Sequence, residues 1–145
     1  MRALILLILF AGQSALACPS LEGSYTCYAG GHEIDLRITS YDDDGLKTVY
    51  FGSVPHIIDG GWYEYEDSVW PDIVITQRKS ECIGDTVLKS EENSAVYRDG
   101  VKIQEAFRDL EVSQKSLGDL LVRSVTQFGG KKRTKTEYGC TRNSI

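Results

Sequence analysis

Only two histidines occur in the chain, His32 and His56, and histidine is the commonest acid-base and metal-binding side chain near neutral pH. Neither stands in a Gly-x-Ser-x-Gly or His-Glu-x-x-His motif, and no nucleophile-and-base arrangement stands out elsewhere. His32 begins an alternating segment and is expected at an exposed strand end, whereas His56 follows Pro55 and is expected in a loop. An enzyme is therefore the least favoured class of function, with a catalytic or metal-binding role for either histidine as the alternative.

Three consecutive aspartates, Asp42 to Asp44, precede Gly45 and offer carboxylate ligands of the kind that calcium prefers. An EF-hand loop with its invariant glycine at Gly45 would end at Phe51, where a bidentate glutamate is required, so that motif fails. A solvated hairpin turn is the favoured interpretation, and weak calcium binding by the aspartates is the alternative. The sequence thus predicts no metal site and no cofactor.

The most distinctive segment is residues 60–71, which holds both tryptophans of the chain. Strand alternation places Tyr63 and Tyr65 on one face and Trp62 with two glutamates on the other. Core packing of these aromatic residues is the favoured interpretation, and a binding surface for a sugar, a cationic group or a protein is the alternative. The candidate ligand-binding residues are Trp62, Tyr63, Tyr65 and Trp70.

The N-terminal segment has the three parts of a secretory signal: Arg2, an apolar run over residues 3–11, and the small residues Ala15 and Ala17. Cleavage after Ala17 is expected, which predicts a secreted or periplasmic protein with no transmembrane segment. Lipid anchoring at Cys18 is less favoured, because Ala15 and Leu16 do not match the residues that usually precede a lipidated cysteine.

One domain, residues 18–145, remains after cleavage, and its length is 145 − 17 = 128 residues. It carries 15 Lys and Arg, because Arg2 is lost, against 21 Asp and Glu, a net charge of 15 − 21 = −6 that disfavours nucleic-acid binding. Residues 32–72 hold ten acidic side chains and residues 131–142 hold five basic ones. We expect two solvated strand faces of opposite charge that can be neighbours in a sheet, with a partner-binding patch as the alternative.

Strand signals dominate the chain. Residues 32–40 alternate with period two and lead through an aspartate-rich turn into residues 46–52, which predicts a hairpin. Residues 102–113 also fit a helical spacing, so a helix is the alternative to a strand there. Further strands are predicted at residues 62–66, 73–78, 86–89, 95–98, 101–112, 120–128 and 131–140. About nine or ten short strands without a helical crossover predict an all-β fold, an antiparallel up-and-down barrel or a strongly curved meander.

Four cysteines, an even number without a C-x-x-C pair, predict two disulfides in an exported chain, with a zinc site as the alternative. Three connectivities are open. In an up-and-down barrel the first and last strands are neighbours, and both carry the pattern Tyr-x-Cys, which favours Cys27 with Cys140. Cys18 then pairs with Cys82, so that the predicted barrel is stapled by two disulfides.

At the start of the predicted domain, Gly23-Ser24-Tyr25 resembles the Gly-x-Trp signature that opens the first strand of lipocalins and related calycin barrels. Tyr25 stands where that family has tryptophan. In the family, a late arginine or lysine packs across this ring and helps to close the barrel end, and Arg142 matches that position. The resemblance implies a ligand-binding barrel.

The sequence leads to two functional hypotheses. The first is an exported, non-enzymatic binding protein that accepts a small, partly apolar ligand in a lipocalin-like barrel. The second is a protein-interaction module, similar in action to an inhibitor, that uses the Trp62 to Trp70 surface. The oligomeric state is left open.

Overall fold

The structure is a computed structural model that describes residues 18–144, so the predicted signal peptide lies outside the described residues. Ten antiparallel strands follow one another through short connections, and they form a nearly closed barrel. The all-β fold is thereby confirmed. The strands are β1 (Gly23–Ala29), β2 (His32–Asp43), β3 (Leu46–Phe51), β4 (Val54–Ile57), β5 (Trp62–Val69), β6 (Asp72–Ile83), β7 (Val87–Arg98), β8 (Val101–Gln114), β9 (Leu120–Phe128) and β10 (Thr134–Arg142).

The barrel wall runs in the order β4-β3-β2-β1-β10-β9-β8-β7-β6-β5. The first strand pairs with the last, as the up-and-down prediction requires, and Cys27 lies directly opposite Cys140. The two ends of the series meet only near Ser80, which forms a single bridge with Ile58 and accepts a hydrogen bond of 3.0 Å from the Gly60 N–H at its carbonyl. Beyond that bridge β4 and β5 diverge, and the wall is open between them.

The structure corrects three details of the strand prediction. Residues 86–98, predicted as two strands, form the single strand β7. The helix considered for residues 102–113 is wrong, because β8 runs through them and pairs with both β7 and β9. The residues that fit a helical spacing lie on both faces of β8. Ala106 pairs with the inward-facing Ser94, whereas Phe107 pairs with the outward-facing Asn93.

His56 is the third correction, because it lies in strand β4 and not in a loop. The neighbouring Pro55 lacks an N–H and is tolerated in a short strand at the end of the series. Only four residues form this strand, too few to show a period in the sequence. His56 therefore points into the barrel, where it is 1% exposed.

Apolar side chains fill one end of the barrel, which we call the filled end. Leu88 and Val112 are opposite each other on β7 and β8 and are both fully buried. Their burial is the main source of stability for this end of the molecule. The ten buried residues of this core are Leu21, Tyr25, Cys27, Ile38, Val49, Cys82, Leu88, Val112, Leu120 and Cys140.

Both predicted disulfides are present. Cys27–Cys140 joins β1 to β10, and Cys18–Cys82 ties the segment before β1 to β6 across a Cα separation of 5.3 Å. Two disulfides indicate an extracellular or otherwise oxidising compartment. Within residues 18–144, no helix has the length and apolar character needed to cross a bilayer.

Candidate binding site in the barrel wall

Tyr25 and Arg142 lie against each other over the filled end. The Tyr25 hydroxyl donates a hydrogen bond of 2.8 Å to the Leu21 carbonyl. The Arg142 guanidinium lies 6.0 Å from the centre of the Tyr25 ring and donates to the Glu22 carbonyl over 2.6 Å. Gly23 has a φ of +152°, and a Cβ on it would lie 3.0 Å from the Arg142 Nε. These contacts occupy the end of the barrel, so a binding site must lie elsewhere.

The inward-facing side chains of β6, β7 and β8 form rows of paired residues across the three strands. With increasing distance from the filled end, these rows change from apolar to polar. The row of Cys82, Leu88 and Val112 is followed by a row with two serine hydroxyls and then by a charged row. The next row again carries hydroxyls, from Thr76 and Ser94, whose oxygens are 3.0 Å apart. The interior beyond the core is therefore polar. The two polar rows nearest the core are Ser80 with Ser90, and Arg78 with Glu92 and Arg108.

His56 lies against the serine row. Its Nδ1 is 3.1 Å from both the Ser80 and the Ser90 hydroxyl oxygens, and those oxygens are 2.9 Å apart. Burial, with the positive charges of Arg78 and Arg108 nearby, lowers the pKa of His56 to about 3. The imidazole is thus neutral at physiological pH and enclosed, and it serves as a hydrogen-bonding partner in the interior.

Arg78 is the central residue of the charged row and is 8% exposed. Its Nε and Nη2 donate hydrogen bonds of 2.9 and 2.7 Å to one oxygen of Glu92, and Arg108 donates to the same oxygen over 3.0 Å. Two guanidinium groups therefore share one carboxylate, which leaves this row with one excess positive charge. The Arg108 Nε is buried without a hydrogen-bond partner among the described residues.

The opening between β4 and β5 leads to Arg78, and we call it the side cleft. Its volume is about 620 Å³. Arg78 spans it, because its Nη1 donates a hydrogen bond of 2.6 Å to the Pro55 carbonyl on β4 and its guanidinium lies 4.9 Å from the centre of the Tyr65 ring on β5. Burial raises the pKa of the Tyr65 hydroxyl, so that this group is a neutral hydrogen-bond donor. The cleft is lined by Ser53, Val54, Pro55, Glu64, Tyr65, Glu66, Asp67, Thr76 and Arg78.

The four aromatic residues predicted as ligand-binding lie in different places. Tyr65 alone lines the side cleft. Tyr63 points to the same side but donates a hydrogen bond to Asp59. Trp62 is 50% exposed at the start of β5, and Trp70 is 94% exposed in the turn after it.

Sequence reasoning missed Arg78 and Thr76. One signal was present, because both residues share the inward phase of β6 with Ser80 and Cys82. A charged residue on the inward phase of a strand is uncommon unless it is paired. Its partner Glu92 and its contact with Pro55 depend on strand register, which the sequence pattern did not specify.

A second groove of similar volume, about 610 Å³, lies on the outer face and includes Phe107 and Gln127. Arg133 covers part of it, with its guanidinium 5.7 Å from the centre of the Phe107 ring. Most of its side chains are on the outer phase of the strands, and its lining includes no buried charge. The side cleft is therefore the stronger candidate.

Among the residues that the structure describes, no group of three or more His, Cys, Asp or Glu side chains is arranged to hold a metal ion. No protein-family model, curated protein or solved structure matches the chain. The side cleft itself is thus the basis for a functional proposal.

Proposed function

We propose that this is an exported, non-enzymatic binding protein that accepts a small, partly apolar ligand in the side cleft. The observation that carries the proposal is Arg78, a buried cation at the floor of an open cleft with an aromatic ring beside it. Its three hydrogen bonds to protein use three of its five N–H groups, so donors remain for a ligand. Few convergent polar groups within apolar walls are typical of small-molecule sites.

The walls of the cleft define the class of ligand. Val54, Pro55 and the Tyr65 ring offer apolar surface, and Thr76 adds a hydroxyl next to Arg78. Asp67 on the inward phase of β5, with Glu64 and Glu66 beside it on the outer phase, makes this rim of the cleft negative, which disfavours a ligand with net negative charge. We therefore expect a neutral or zwitterionic molecule with an apolar body and a hydrogen-bond acceptor, such as a carbonyl oxygen, directed at Arg78.

Export supports the same proposal. The predicted signal peptide over residues 1–17 and the disulfides of the domain both support a location outside the reducing cytoplasm. Intact-mass measurement of protein recovered from a secreting host should give a chain that begins at Cys18 without added lipid. A mass that includes residues 1–17, or a diacyl adduct, would contradict this part of the proposal.

A library of small neutral amides and ketones, screened by NMR against isotope-labelled protein, tests the ligand. We expect chemical-shift changes centred on Tyr65, Thr76 and Arg78. Tyr65→Ala should weaken binding about tenfold, since loss of one aromatic contact of about 1.4 kcal/mol has that effect. Tyr41→Ala, at an exposed position on β2, is the matched control. Shift changes that avoid the cleft, or equal affinity for both variants, would overturn the proposal.

A second candidate function, protein recognition through β5, is favoured by the exposure of its aromatic residues. Trp70 is 94% exposed and the adjacent Val69 is 59% exposed. Exposed tryptophan is enriched among the residues that dominate protein interfaces. If this surface binds a protein, Trp70→Ala should remove binding while Tyr65→Ala retains it.

A further inference from the structure

Among the strand edges that lack a partner within residues 18–144 are those of β5 and β10. β5 pairs with β6 on one side only. β10 pairs with β9 from Thr134 onward, but β1 reaches it only at Gly139, so that residues 134–138 have one free edge. Alternate residues of such an edge direct N–H and C=O groups outward, ready to pair with another strand.

The two edges bound a curved, six-stranded part of the barrel wall, from β5 to β10. Because the strands alternate in direction and their number is even, β5 and β10 run in opposite directions. A second copy of the chain that continues the sheet therefore places its β10 antiparallel to β5. The inward and outward faces of the two sheets are then continuous, as side-chain alternation requires.

The charges of the two edges are opposite. β5 contains three acidic residues and no lysine or arginine, and residues 131–138 contain four basic residues and one acid, Glu137. Glu64 and Glu66 are exposed on the outer phase of β5. Lys135 is exposed on the outer phase of β10, next to the turn that holds Lys131 and Lys132.

We infer that the protein assembles with itself by pairing β5 of one copy with residues 134–138 of β10 in the next copy. Edges of like charge repel, so β5 does not pair with a second β5, nor β10 with a second β10. The contact joins two different surfaces, so each copy keeps one free edge of each kind. Such a contact builds a ring if the rotation closes and a filament if it does not. This inference does not rest on the proposed function, and because the free edge of β5 borders the side cleft, a copy paired there would cover the cleft.

Sedimentation velocity of the processed protein tests the pairing. At an ionic strength of about 0.01 M, where the Debye length is about 30 Å, we expect an average mass that rises with concentration above the monomer value. At about 1 M salt, where charges are screened beyond about 3 Å, the monomer should dominate. A monomer at every concentration and salt would overturn the inference.

Charge reversal identifies the surfaces. Glu64→Lys/Glu66→Lys makes β5 basic, and Lys132→Glu/Lys135→Glu makes the β10 edge acidic. Each variant alone has two edges of like charge and should remain monomeric at low salt, but an equimolar mixture of the two should assemble again. Asp43→Lys/Asp85→Lys changes the charge by the same amount in exposed turns at the filled end and should assemble like the wild type. Assembly of either reversed variant by itself, or failure of the mixture to assemble, would contradict the proposed pairing.

Discussion

Arg78 and Glu92 face each other across β6 and β7, and the guanidinium donates two hydrogen bonds to a single carboxylate oxygen. Arg108 donates to the same oxygen from the other side. Glu92 is 14% exposed in its side chain, so water compensates little for the charges around it. One carboxylate therefore holds two cations inside the barrel.

Glu92→Gln should destabilise the fold by about 3 kcal/mol, because it leaves two guanidinium groups next to each other without a counter-charge. The adjacent Glu91 points to the outer face, and Glu91→Gln is the matched control with a change below about 0.5 kcal/mol. Urea unfolding of the two variants and the wild type measures the difference. Equal stability of both variants would show that Glu92 is not essential to the charged row.

The buried imidazole predicts a specific pH dependence. In the folded protein His56 stays neutral to a pH of about 3, whereas in the unfolded chain it takes up a proton near 6.5. Between these values the unfolded state binds more protons, so stability is complete above pH 6.5 and falls as the pH decreases. The expected slope is about 1.4 kcal/mol per pH unit.

The measurement for this prediction is the free energy of unfolding between pH 7 and pH 5. His56→Gln should remove the slope, while His32→Gln, at an exposed strand start, should retain it. The carboxyl groups of Asp72 and Glu137 have pKa values below their ordinary range and titrate at lower pH. A slope unchanged in His56→Gln would contradict the assignment of the pH effect to this residue.

The hydrogen bond between Tyr25 and Leu21 at the filled end should make a measurable contribution to stability. Tyr25→Phe removes the hydroxyl that donates to the Leu21 carbonyl, and it leaves a buried carbonyl without that partner. We expect a loss of about 1 to 2 kcal/mol in unfolding free energy. Tyr28→Phe, at an exposed position of the same strand, should change stability little. If both substitutions have the same effect, the hydrogen bond contributes nothing measurable.

The two disulfides should each make a large contribution to stability that depends only weakly on loop size. Cys27–Cys140 encloses a sequence separation of 113 residues and Cys18–Cys82 one of 64. Chain entropy alone gives about 4 to 5 kcal/mol for each, slightly more for the longer loop. Paired serine substitutions and urea unfolding measure the two contributions. Peptide mapping without reduction should recover the same two pairs, and a fragment that joins Cys18 to Cys27 would contradict the structure.

Much of the fold followed from the sequence because its signals are local or depend on simple topology. Strand alternation located β2 and β9, and neighbouring first and last strands gave the Cys27–Cys140 pair. The strand β4 was missed because four residues around a proline show no period. The acidic residues 32–72 and the basic residues 131–142 were predicted to form strand faces that can be neighbours, but β1 lies between β2 and β10, and order in the sheet is not visible in charge composition.

The candidate site was less predictable than the fold. Tyr65 was among the residues proposed from the aromatic segment, and the structure places it in the side cleft. Arg78 was not, because its importance arises from contacts with Pro55 and Glu92 that are 23 and 14 positions away in the chain. Periodicity gives the face of a strand on which a residue lies but not the residues that register brings to it.

The single bridge between Ile58 and Ser80 has a mechanical consequence for the barrel. Every other neighbouring pair of strands is joined along a ladder, whereas this boundary is held by one bridge and a few side chains. We therefore expect local opening of the wall to begin at this boundary. The strand that moves outward should be β4, since it contains no cysteine and no disulfide holds it in place. The Cys18–Cys82 bond anchors β6 on the other side of this seam. Molecules would thus enter and leave the polar interior sideways, through the wall, and not along the barrel axis.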